Sequence, residues 1–323
     1  MRVLSGIQPS GTLHLGNYFG AMKQHIELQD GHECFYFIAN LHSLTTIQDA
    51  ARLRQFTADV AVEYLTMGLD PSKVTFFRQS DVPEVTELAW VLSTVTGKGL
   101  LERAHSFKDK VAKGLAVNMG LFCYPLLMAA DILIYRSHLV PVGKDQVQHI
   151  EMTQDMAGYF NQTYREVFVR PEPRLNDAPI VPGIDGQKMS KSYGNHIELF
   201  GDAKAIKKKI MAIKTDSTPV EDPKNPETCN VFALLKLLAE PAEVQEWDRR
   251  YRAAGMGYGE AKKRLAELYE AKFGPKRAIR AQWAARPDDI EDILRAGAKR
   301  ARAVAQEVMA DVYDACGIVV AKS

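Results

Sequence analysis

Two lysines and two hydroxyl groups lie within five consecutive residues, Lys188-Met189-Ser190-Lys191-Ser192. A run rich in Gly, Pro and Asp precedes them at 182–186, which is typical of a surface loop. Ammonium and hydroxyl groups on such a loop suit a polyphosphate, because charged donors make strong hydrogen bonds to phosphate oxygens. The sequence therefore predicts a mobile phosphate-binding loop over 188–192, called the KMSKS loop below.

A second candidate phosphate site lies near the start of the chain, where a short strand leads into a helix through Gly6, Gly11 and Gly16. Glycine lets the backbone approach a ligand closely, and the unpaired N–H groups of a helix N-terminus attract anions. His14 and Asn17 would add a ring N–H and an amide donor. No GxGxxG pattern follows this strand and no GxxxxGK[ST] pattern occurs, which argues against the dinucleotide and P-loop cradles. Together with the KMSKS loop, this segment predicts a polyphosphate site and poses one question, whether the chain promotes attack on the α-phosphate of ATP.

One carboxylate, that of Asp131, interrupts an otherwise apolar stretch over 121–135. A buried carboxylate is costly unless it has a partner. Tyr124, Met128 and Asp131 fall at i, i+4 and i+7, on one face of a helix predicted to begin near Pro125. That face would present an aromatic ring, a thioether and a lone acceptor, which suits an indole N–H because this group can only donate. A tyrosine hydroxyl can also donate, so the residues leave open tryptophan, tyrosine, and a helix cap or an internal ion pair made by Asp131.

The composition is that of a large globular protein without a strong overall charge. With 323 residues and 46% hydrophobic content the chain can bury a large core, most simply in two domains. The formal net charge is +1, so any contact with nucleic acid must use local patches. The first residues show no signal-peptide pattern, and the apolar stretch over 121–135 is too short to span a bilayer. Four widely spaced cysteines without a CxxC pair predict reduced thiols, no structural metal site and a cytoplasmic location.

The elements that position these residues differ between the two halves of the chain. Up to about residue 195, short β-rich runs alternate with helical periods, which predicts βαβ units and ligands at the carboxyl ends of the strands. The predicted strands are Arg2–Leu4, Cys34–Ala39, Val74–Arg78, Leu139–Val142 and Val167–Val169. Only helical patterns follow, at 202–214, 230–239, 241–253, 259–285 and 288–315. The predicted fold class is therefore α/β, with a Rossmann-like open parallel sheet and a C-terminal α-helical domain.

Several motifs, met in order along the α/β half, carry a resemblance to a known family. Residues 6–11 (GIQPSG), 14–17 (HLGN) and the KMSKS loop resemble the HIGH and KMSKS signatures of the class I aminoacyl-tRNA synthetases. The GIQPSG segment and the runs at 128–133 (MAADIL) and 140–146 (VPVGKDQ) are similar to the bacterial tryptophan enzymes of that class. The chain departs from the signature at Asn17, which stands in place of the second histidine of HIGH. Asparagine keeps a donor but cannot become cationic, so the lysines would neutralise most of the transition-state charge.

This resemblance implies a set of site residues. The catalytic residues would be His14, Asn17, Lys188 and Lys191. Further ATP contacts would come from Gln8, Pro9, Ser10, Gly16, Lys110, Gly143, Lys144, Asp145, Ile180, Met189, Ser190 and Ser192. Tryptophan would contact Asp131, Tyr124, Met128, Gln146 and His42. Mg²⁺ would arrive with ATP and bridge its phosphate oxygens, and neither a metal site of the protein nor a tightly bound cofactor is implied.

The resemblance also implies an activity, that of a tryptophan–tRNA ligase. Such an enzyme activates L-tryptophan with ATP, releases pyrophosphate and transfers the aminoacyl group to tRNA(Trp). The alternatives are the tyrosine enzyme of the same class, or a tRNA-binding paralogue without catalysis. The presence of His14, Asp131, Lys188 and Lys191 argues against the paralogue.

The domain organisation implied by the resemblance has three parts. They are a Rossmann-like catalytic domain at 1–194 with a connecting, dimer-forming insert at about 81–140, an anticodon-binding helical domain at 195–286, and a C-terminal helix at 287–323 that packs back on the catalytic domain. A homodimer without a membrane partner is implied. Basic runs at 202–214 and 260–280 fit either RNA phosphates or ordinary solvated helix faces.

Overall fold

The computed structural model describes residues 1–104, 107–108, 118–143, 146–175 and 180–319. Contacts between residues divide the chain into two compact units. The first, here the sheet unit, comprises Met1–Gly11, His25–Asn176 and Arg286–Ser323. The second, here the helical unit, comprises Thr12–Gln24 and Asp177–Ala285. A short N-terminal segment thus belongs to the same unit as the KMSKS loop.

The sheet unit is built on five parallel strands. They are β1 (Arg2–Ile7), β2 (Glu33–Ile38), β3 (Val74–Arg78), β4 (Leu139–Val142) and β5 (Glu172–Leu175), in the spatial order β3-β2-β1-β4-β5. The inner strand β2 is buried after Glu33, and the edge strand β3 is buried over most of its length, as expected for a parallel sheet covered on both faces. The strand order reverses between β1 and β4, and loops at such a point are where ligands of α/β sheets bind.

Among the described residues, helices lie between the strands and also follow the last strand. In chain order they are α1 (Leu15–Asn17), α2 (Lys23–Leu28), α3 (Asn40–Ser43), α4 (Ala50–Met67), α5 (Glu84–Val95), α6 (Lys98–Glu102), α7 (Met119–Leu133), α8 (Val147–Thr163), α9 (Ala203–Met211), α10 (Asn230–Leu238), α11 (Pro241–Arg252), α12 (Tyr258–Phe273), α13 (Lys276–Ala284) and α14 (Pro287–Cys316). A π-helical turn, Tyr18–Met22, joins α1 to α2. Within the described residues no helix is both long and apolar enough to cross a bilayer.

The last helix, α14, belongs to the sheet unit and packs against β3. Arg78 at the end of β3 makes a two-fold ion pair with Glu291, at 2.7 and 2.8 Å. Arg302 pairs with the buried Glu84 at the start of α5, at 2.8 Å. Buried alanines and valines of α14 join the same core as the strands. The helical unit has its own core, in which α12 packs against α9 and α10.

Four of the five predicted strands are confirmed, but the strand predicted at Val167–Val169 is wrong. Val167 and Phe168 are buried, as an apolar run suggests. Their backbone is held by the Asn161 side chain, which accepts from the N–H groups of Val167 and Phe168 (3.0 and 3.1 Å) and donates to the Phe168 carbonyl (2.8 Å). These groups are thus already satisfied without a strand ladder. The edge strand β5 follows instead, and its Pro173 is tolerated there because an edge strand leaves some N–H positions unpaired.

Two predicted helix boundaries also require correction. The helix that carries Asp131 begins at Met119 rather than near Pro125, because Asn118 caps it by accepting from the Leu121 N–H at 2.8 Å. The helix predicted at 259–285 is two helices, since Pro275 interrupts it between α12 and α13. The predicted fold class itself is confirmed: a Rossmann-like open parallel sheet, with a largely helical second half of the chain.

Candidate active site

His14 ends an extended segment of the helical unit and immediately precedes α1. This segment pairs with residues that follow the KMSKS loop. The Leu15 N–H donates to the Ile197 carbonyl at 3.0 Å, and the Leu199 N–H donates to the Leu13 carbonyl at 3.0 Å. These two bonds hold the start of α1 beside the exit of the KMSKS loop, although the two segments are far apart in the chain.

The His14 ring is buried and uncharged at neutral pH. Burial, and after it the nearby positive charge of Lys191, lower its pKa from 6.5 to about 4. Within the described residues, Nδ1 of His14 has no hydrogen-bond partner. The Asn17 side chain is partly used by the protein, since its Oδ1 accepts from the His14 N–H at 3.1 Å. A buried ring nitrogen usually has a hydrogen-bond partner, and a phosphate oxygen of a ligand could be that partner here, close to a lysine that would neutralise its charge.

Gly16 allows the His14 ring and Met189 of the KMSKS loop to lie close to the start of α1. A Cβ atom at this position would lie 2.9 Å from Cε1 and Nδ1 of His14 and 3.5 Å from Cβ of Met189. The absence of a side chain therefore leaves room for the histidine ring at the helix start. The start of α1 and the KMSKS loop are thus adjacent at this glycine.

The KMSKS loop presents its two lysines from a well-anchored backbone. Met189 is buried, and its N–H donates to the Val181 carbonyl at 2.9 Å. Ser190 caps the following turn, Lys191–Tyr193, by accepting from the Ser192 N–H at 3.3 Å. Lys188 and Ser192 are exposed, and Lys191 is half-buried near His14. Ile180, which precedes the loop, is 75% exposed.

The residues predicted to bind an indole group lie in the sheet unit around Asp131, which is 2% exposed. The carboxylate is not the lone acceptor that the sequence suggested. Its Oδ2 lies 2.9 Å from Nε2 of His42, and the Gln79 amide donates to Oδ1 and Oδ2 at 3.0 and 2.8 Å. Burial raises the pKa of Asp131, while the hydrogen bonds from His42 and Gln79 favour the charged form. A carboxylate has about four acceptor positions, so one remains for a ligand donor.

Gln79 is a site residue that the sequence prediction missed. It is 1% exposed, and its Oε1 accepts from the N–H groups of Leu41 and His42 at 3.1 and 3.3 Å. The side chain thus links the start of α3 to Asp131 on α7. One signal was present in the sequence, because Gln79 directly follows a correctly predicted strand, and polar residues at strand carboxyl ends are where α/β sheets bind ligands.

Tyr124 and Met128 lie on α7 with Asp131, as the helical spacing predicted, and both are partly exposed. The Tyr124 hydroxyl is hydrogen-bonded to Nε2 of His149. His149 lies on α8 and was also missed by sequence reasoning, because nothing in its local pattern distinguishes it from a core histidine. The tyrosine ring is therefore held in place by a neighbouring helix.

The remaining predicted residues of the sheet unit follow β1 and β4, the two strands at which the strand order reverses. Gln8 and Ser10 are exposed and Pro9 is buried, with its carbonyl 3.4 Å from the Ser43 hydroxyl. Gln146 precedes α8, and its N–H donates to the Gly143 carbonyl at 2.9 Å. Lys110, Lys144 and Asp145 lie outside the described residues.

Two groups of side chains thus stand out, each within its own unit. His14, Asn17, Lys188 and Lys191 of the helical unit offer neutral and cationic donors to a polyphosphate. Asp131 of the sheet unit, with its partners, offers a buried acceptor beside an aromatic ring and a thioether. In the described parts of the chain no three His, Cys, Asp or Glu side chains are grouped as metal ligands would be.

Comparisons with known proteins agree on one family. A family model described as tRNA synthetases class I (W and Y) matches residues 1–274. A tryptophan–tRNA ligase of Rhodopirellula baltica is 55% identical over 319 residues, with 98% of this chain and 100% of the relative covered. One from Fusobacterium nucleatum is 51% identical over 322 residues, with 98% of each chain covered. A crystal structure of the tryptophanyl-tRNA synthetase of Campylobacter jejuni, complexed with ADP and tryptophan, has a TM-score of 0.91 and 49% identity, and covers 98% of this chain and 100% of its own.

Proposed function

Because the chain belongs to the class I tRNA synthetases for tryptophan and tyrosine, we propose that it ligates L-tryptophan to tRNA(Trp) at the expense of ATP. The enzyme first forms tryptophanyl-adenylate and pyrophosphate. It then transfers the tryptophanyl group to a hydroxyl of the terminal ribose of the tRNA and releases AMP. Tryptophan as the amino acid is supported by relatives of this activity at 55% and 51% identity over nearly the whole chain.

The observation that carries the proposal is the contact between the two signature segments in the helical unit. Leu15 is hydrogen-bonded to Ile197, and Lys191 is close enough to His14 to lower the pKa of the ring. Adenylate formation needs no enzyme nucleophile. An oxygen of the tryptophan carboxylate attacks the α-phosphorus in line, the bond to the bridging oxygen breaks, and pyrophosphate takes up the electron pair. Preorganised donors placed where this charge develops supply most of the acceleration.

Each signature residue has a role that follows from its chemistry. Lys188 and Lys191 neutralise the charge that develops on the pyrophosphate, together with the Mg²⁺ that ATP brings. His14, which is uncharged at neutral pH, donates or accepts a single hydrogen bond through the ring nitrogen that lacks a partner among the described residues. Asn17 contributes its amide N–H, since its oxygen already caps α1. Lys110, Lys144 and Asp145 join the ATP site in this proposal, as do Gln8, Pro9, Ser10, Gly143 and Ile180.

The amino-acid pocket follows from the Asp131 cluster. The indole N–H is only a donor, and Asp131 supplies an acceptor whose other positions are occupied by Gln79 and His42. Met128 packs against the indole ring, and Tyr124, fixed by His149, forms a second wall. A pocket that hydrogen-bonds a substrate donor rejects analogues that lack it by roughly 10⁴–10⁵ without editing. Gln146 contacts the amino-acid end of the substrate.

The proposed oligomeric state, location and domain roles are those that the resemblance to this family implies. The proposal includes a homodimer, a cytoplasmic location, a catalytic domain at 1–194 with an insert at about 81–140, an anticodon-binding domain at 195–286 and a C-terminal helix at 287–323. The basic residues of α9 and α12 are candidates for contacts with RNA phosphates.

Amino-acid-dependent exchange of labelled pyrophosphate into ATP tests the function directly. We expect exchange with tryptophan and none above background with tyrosine, followed by charging of a tRNA(Trp) transcript. Exchange with tyrosine alone would assign the tyrosine activity instead. Absence of exchange with either amino acid, while the transcript still binds, would make the chain a tRNA-binding protein without catalysis.

A further inference from the structure

Asn195 lies just beyond the KMSKS loop and is 2% exposed. It follows a turn at Gly194, whose φ of 64° lies in the left-handed region that favours glycine. The side chain therefore points back into the protein rather than along the loop. An amide that is buried this completely must have its donors and acceptors satisfied.

All of the hydrogen bonds described for Asn195 go to the residues that form or precede the KMSKS loop. Its Oδ1 accepts from the Ser190 N–H at 2.7 Å, and its Nδ2 donates to the Lys188 carbonyl at 3.2 Å and to Oδ1 of Asp185 at 2.8 Å. Its backbone carbonyl accepts from the Ile184 N–H at 2.9 Å. One residue thus ties the incoming arm of the loop, 184–185, to the signature itself.

Gly183 and Asp185 pack directly against the Asn195 amide. A Cβ atom at Gly183 would lie 2.4 Å from Cγ and Nδ2 of Asn195, so the loop backbone closes directly on it. The hydrogen bond from the Asn195 amide lowers the pKa of Asp185 and so favours its carboxylate form. The Gln187 N–H also donates to Oδ1 of Asp185 at 3.0 Å. The loop is therefore closed by a charge-assisted pair between Asn195 and Asp185.

Asn195 also stands between the loop and His14. Two residues later, the Ile197 carbonyl accepts from the Leu15 N–H, and Leu199 pairs with Leu13. The segment 195–199 is thus hydrogen-bonded to the KMSKS loop through the Asn195 side chain at one end, and to the start of α1 through its backbone at the other. Any shift of Asn195 relative to the loop changes the spacing between the lysines and the histidine.

We propose that Asn195 is a positioning residue for the chemical step, which fixes Lys188 and Lys191 relative to His14 by holding the backbone of Lys188 and Ser190. This inference rests on the proposed function. The Asn195 side chain bonds to the backbone on both sides of Met189, so its loss misplaces both lysines. It has no described contact with the Asp131 cluster, which belongs to the sheet unit. The effect therefore falls on kcat and leaves tryptophan binding unchanged.

Asn195→Asp is the most informative variant because it keeps the shape and the acceptor for Ser190. It removes the donor to Lys188 and places a second carboxylate against Asp185. We expect pyrophosphate exchange to fall about 10²-fold in kcat, the loss associated with misplacing a reacting group by about 1 Å. The dissociation constant for tryptophan, measured by calorimetry, should change less than twofold.

The double variant Asp185→Asn with Asn195→Asp provides a rescue that a general loss of folding would not show. It exchanges the amide and the carboxylate, so the pair between the two side chains can form again. We expect recovery of about 10-fold over Asn195→Asp, with the remaining deficit due to the lost bond to Lys188. Asn225→Asp is a matched control in the same unit, since Asn225 caps a separate turn by accepting from the Glu227 N–H at 2.9 Å.

Asp185→Ala is a further test that does not depend on a buried substitution, because Asp185 lies on the surface loop and is only partly buried. We expect it to lower kcat about 10-fold with unchanged tryptophan binding. Wild-type kcat in both Asn195→Asp and Asp185→Ala, or no recovery in the double variant, would overturn the inference. Absence of tryptophan-dependent exchange in the unaltered protein would instead overturn the proposed function. This outcome differs from failure of the Asn195 inference, in which the unaltered protein is active.

Discussion

Lys191 is half-buried beside His14, and its charge acts on that ring as well as on the phosphate oxygens proposed to lie nearby. Lys191→Ala should lower the rate of pyrophosphate exchange by about 10²–10³-fold, as for the loss of one preorganised donor. The affinity for tryptophan should stay the same, because the side chains proposed to contact the indole ring belong to the sheet unit. The pKa of His14, measured by NMR titration, should rise, since a neighbouring positive charge no longer opposes protonation of the ring.

Lys204→Ala is the control for this substitution, since Lys204 is an exposed lysine of α9 in the same unit. It should leave both the exchange rate and the His14 titration unchanged. An exchange rate within twofold of wild type in Lys191→Ala would remove Lys191 from the phosphate site.

In the proposed pocket, Asp131 provides the acceptor for the indole N–H, and this role would make it the residue that determines which amino acid is accepted. In Asp131→Asn the new NH₂ group would face the donors of Gln79 and His42, which are 2.8–3.0 Å from the present oxygens. Loss of a hydrogen bond to a charged group should reduce kcat/KM for tryptophan by about 10–10²-fold. The preference for tryptophan over phenylalanine should fall by the same factor, whereas Asp155→Asn, on the exposed face of α8, should change neither. Retained preference in Asp131→Asn would contradict the assignment.

At the scale of elements, the packing of α14 on β3 depends on one glycine. A Cβ atom at Gly297 would lie 1.8 Å from the Phe76 carbonyl oxygen, which is part of the strand backbone and has little freedom to move. Gly297→Ala should therefore lower the free energy of unfolding by about 1–3 kcal/mol or more, despite the better helix propensity of alanine. Urea unfolding would measure the change.

Gly158→Ala is the matched control for Gly297→Ala, since Gly158 lies inside α8 of the same unit and has nothing within 4 Å of an added Cβ. It should raise the free energy of unfolding by about 0.5–1 kcal/mol. Equal effects of the two substitutions would show that the close approach at Phe76 is relieved at no cost.

The elements that sequence reasoning predicted correctly are those specified by a local pattern. Val74–Arg78 and Leu139–Val142 are correct to the residue, because a short apolar run between turns leaves few alternatives. The strand predicted at Val167–Val169 fails because the Asn161 side chain takes up its backbone groups, a contact that periodicity does not report. Gln79 and Asn195 were missed for the same reason, since their roles depend on partners brought close only by the fold or by a loop.

For the molecule as a whole, the division into units groups residues that the linear sequence separates. Thr12–Gln24 belongs to the helical unit although both its neighbours along the chain belong to the sheet unit. Leu13 and Leu15, on either side of His14, therefore share backbone hydrogen bonds with Leu199 and Ile197, which lie just beyond the KMSKS loop. The functional domains at 1–194, 195–286 and 287–323 are defined by what they bind rather than by contacts, and they stay a prediction.

The pH dependence of global stability should report a histidine that does not take part in the reaction. His25 is 2% exposed, accepts or donates a 2.8 Å hydrogen bond with the Tyr64 hydroxyl, and stacks on Tyr36 at 4.7 Å. Burial lowers its pKa from 6.5 to about 4. Between pH 4 and 6.5 the unfolded chain therefore binds more protons at this residue than the folded protein. The contribution of His25 is fully present above pH 6.5 and is lost as the pH falls toward 4, by about 3 kcal/mol in all.

This contribution can be separated from others by comparing the pH slopes of two proteins rather than absolute stabilities. His14 adds a slope of the same sign, and the raised pKa of Asp131 adds one of opposite sign, but neither changes when His25 is replaced. His25→Phe keeps an aromatic ring between Tyr36 and Tyr64 and cannot titrate. Urea unfolding from pH 4.5 to 7.5 should therefore give a shallower rise of stability with pH in this variant than in the wild type. Parallel curves would mean that His25 titrates with the same pKa in the folded protein as in the unfolded chain, so that its burial does not oppose protonation.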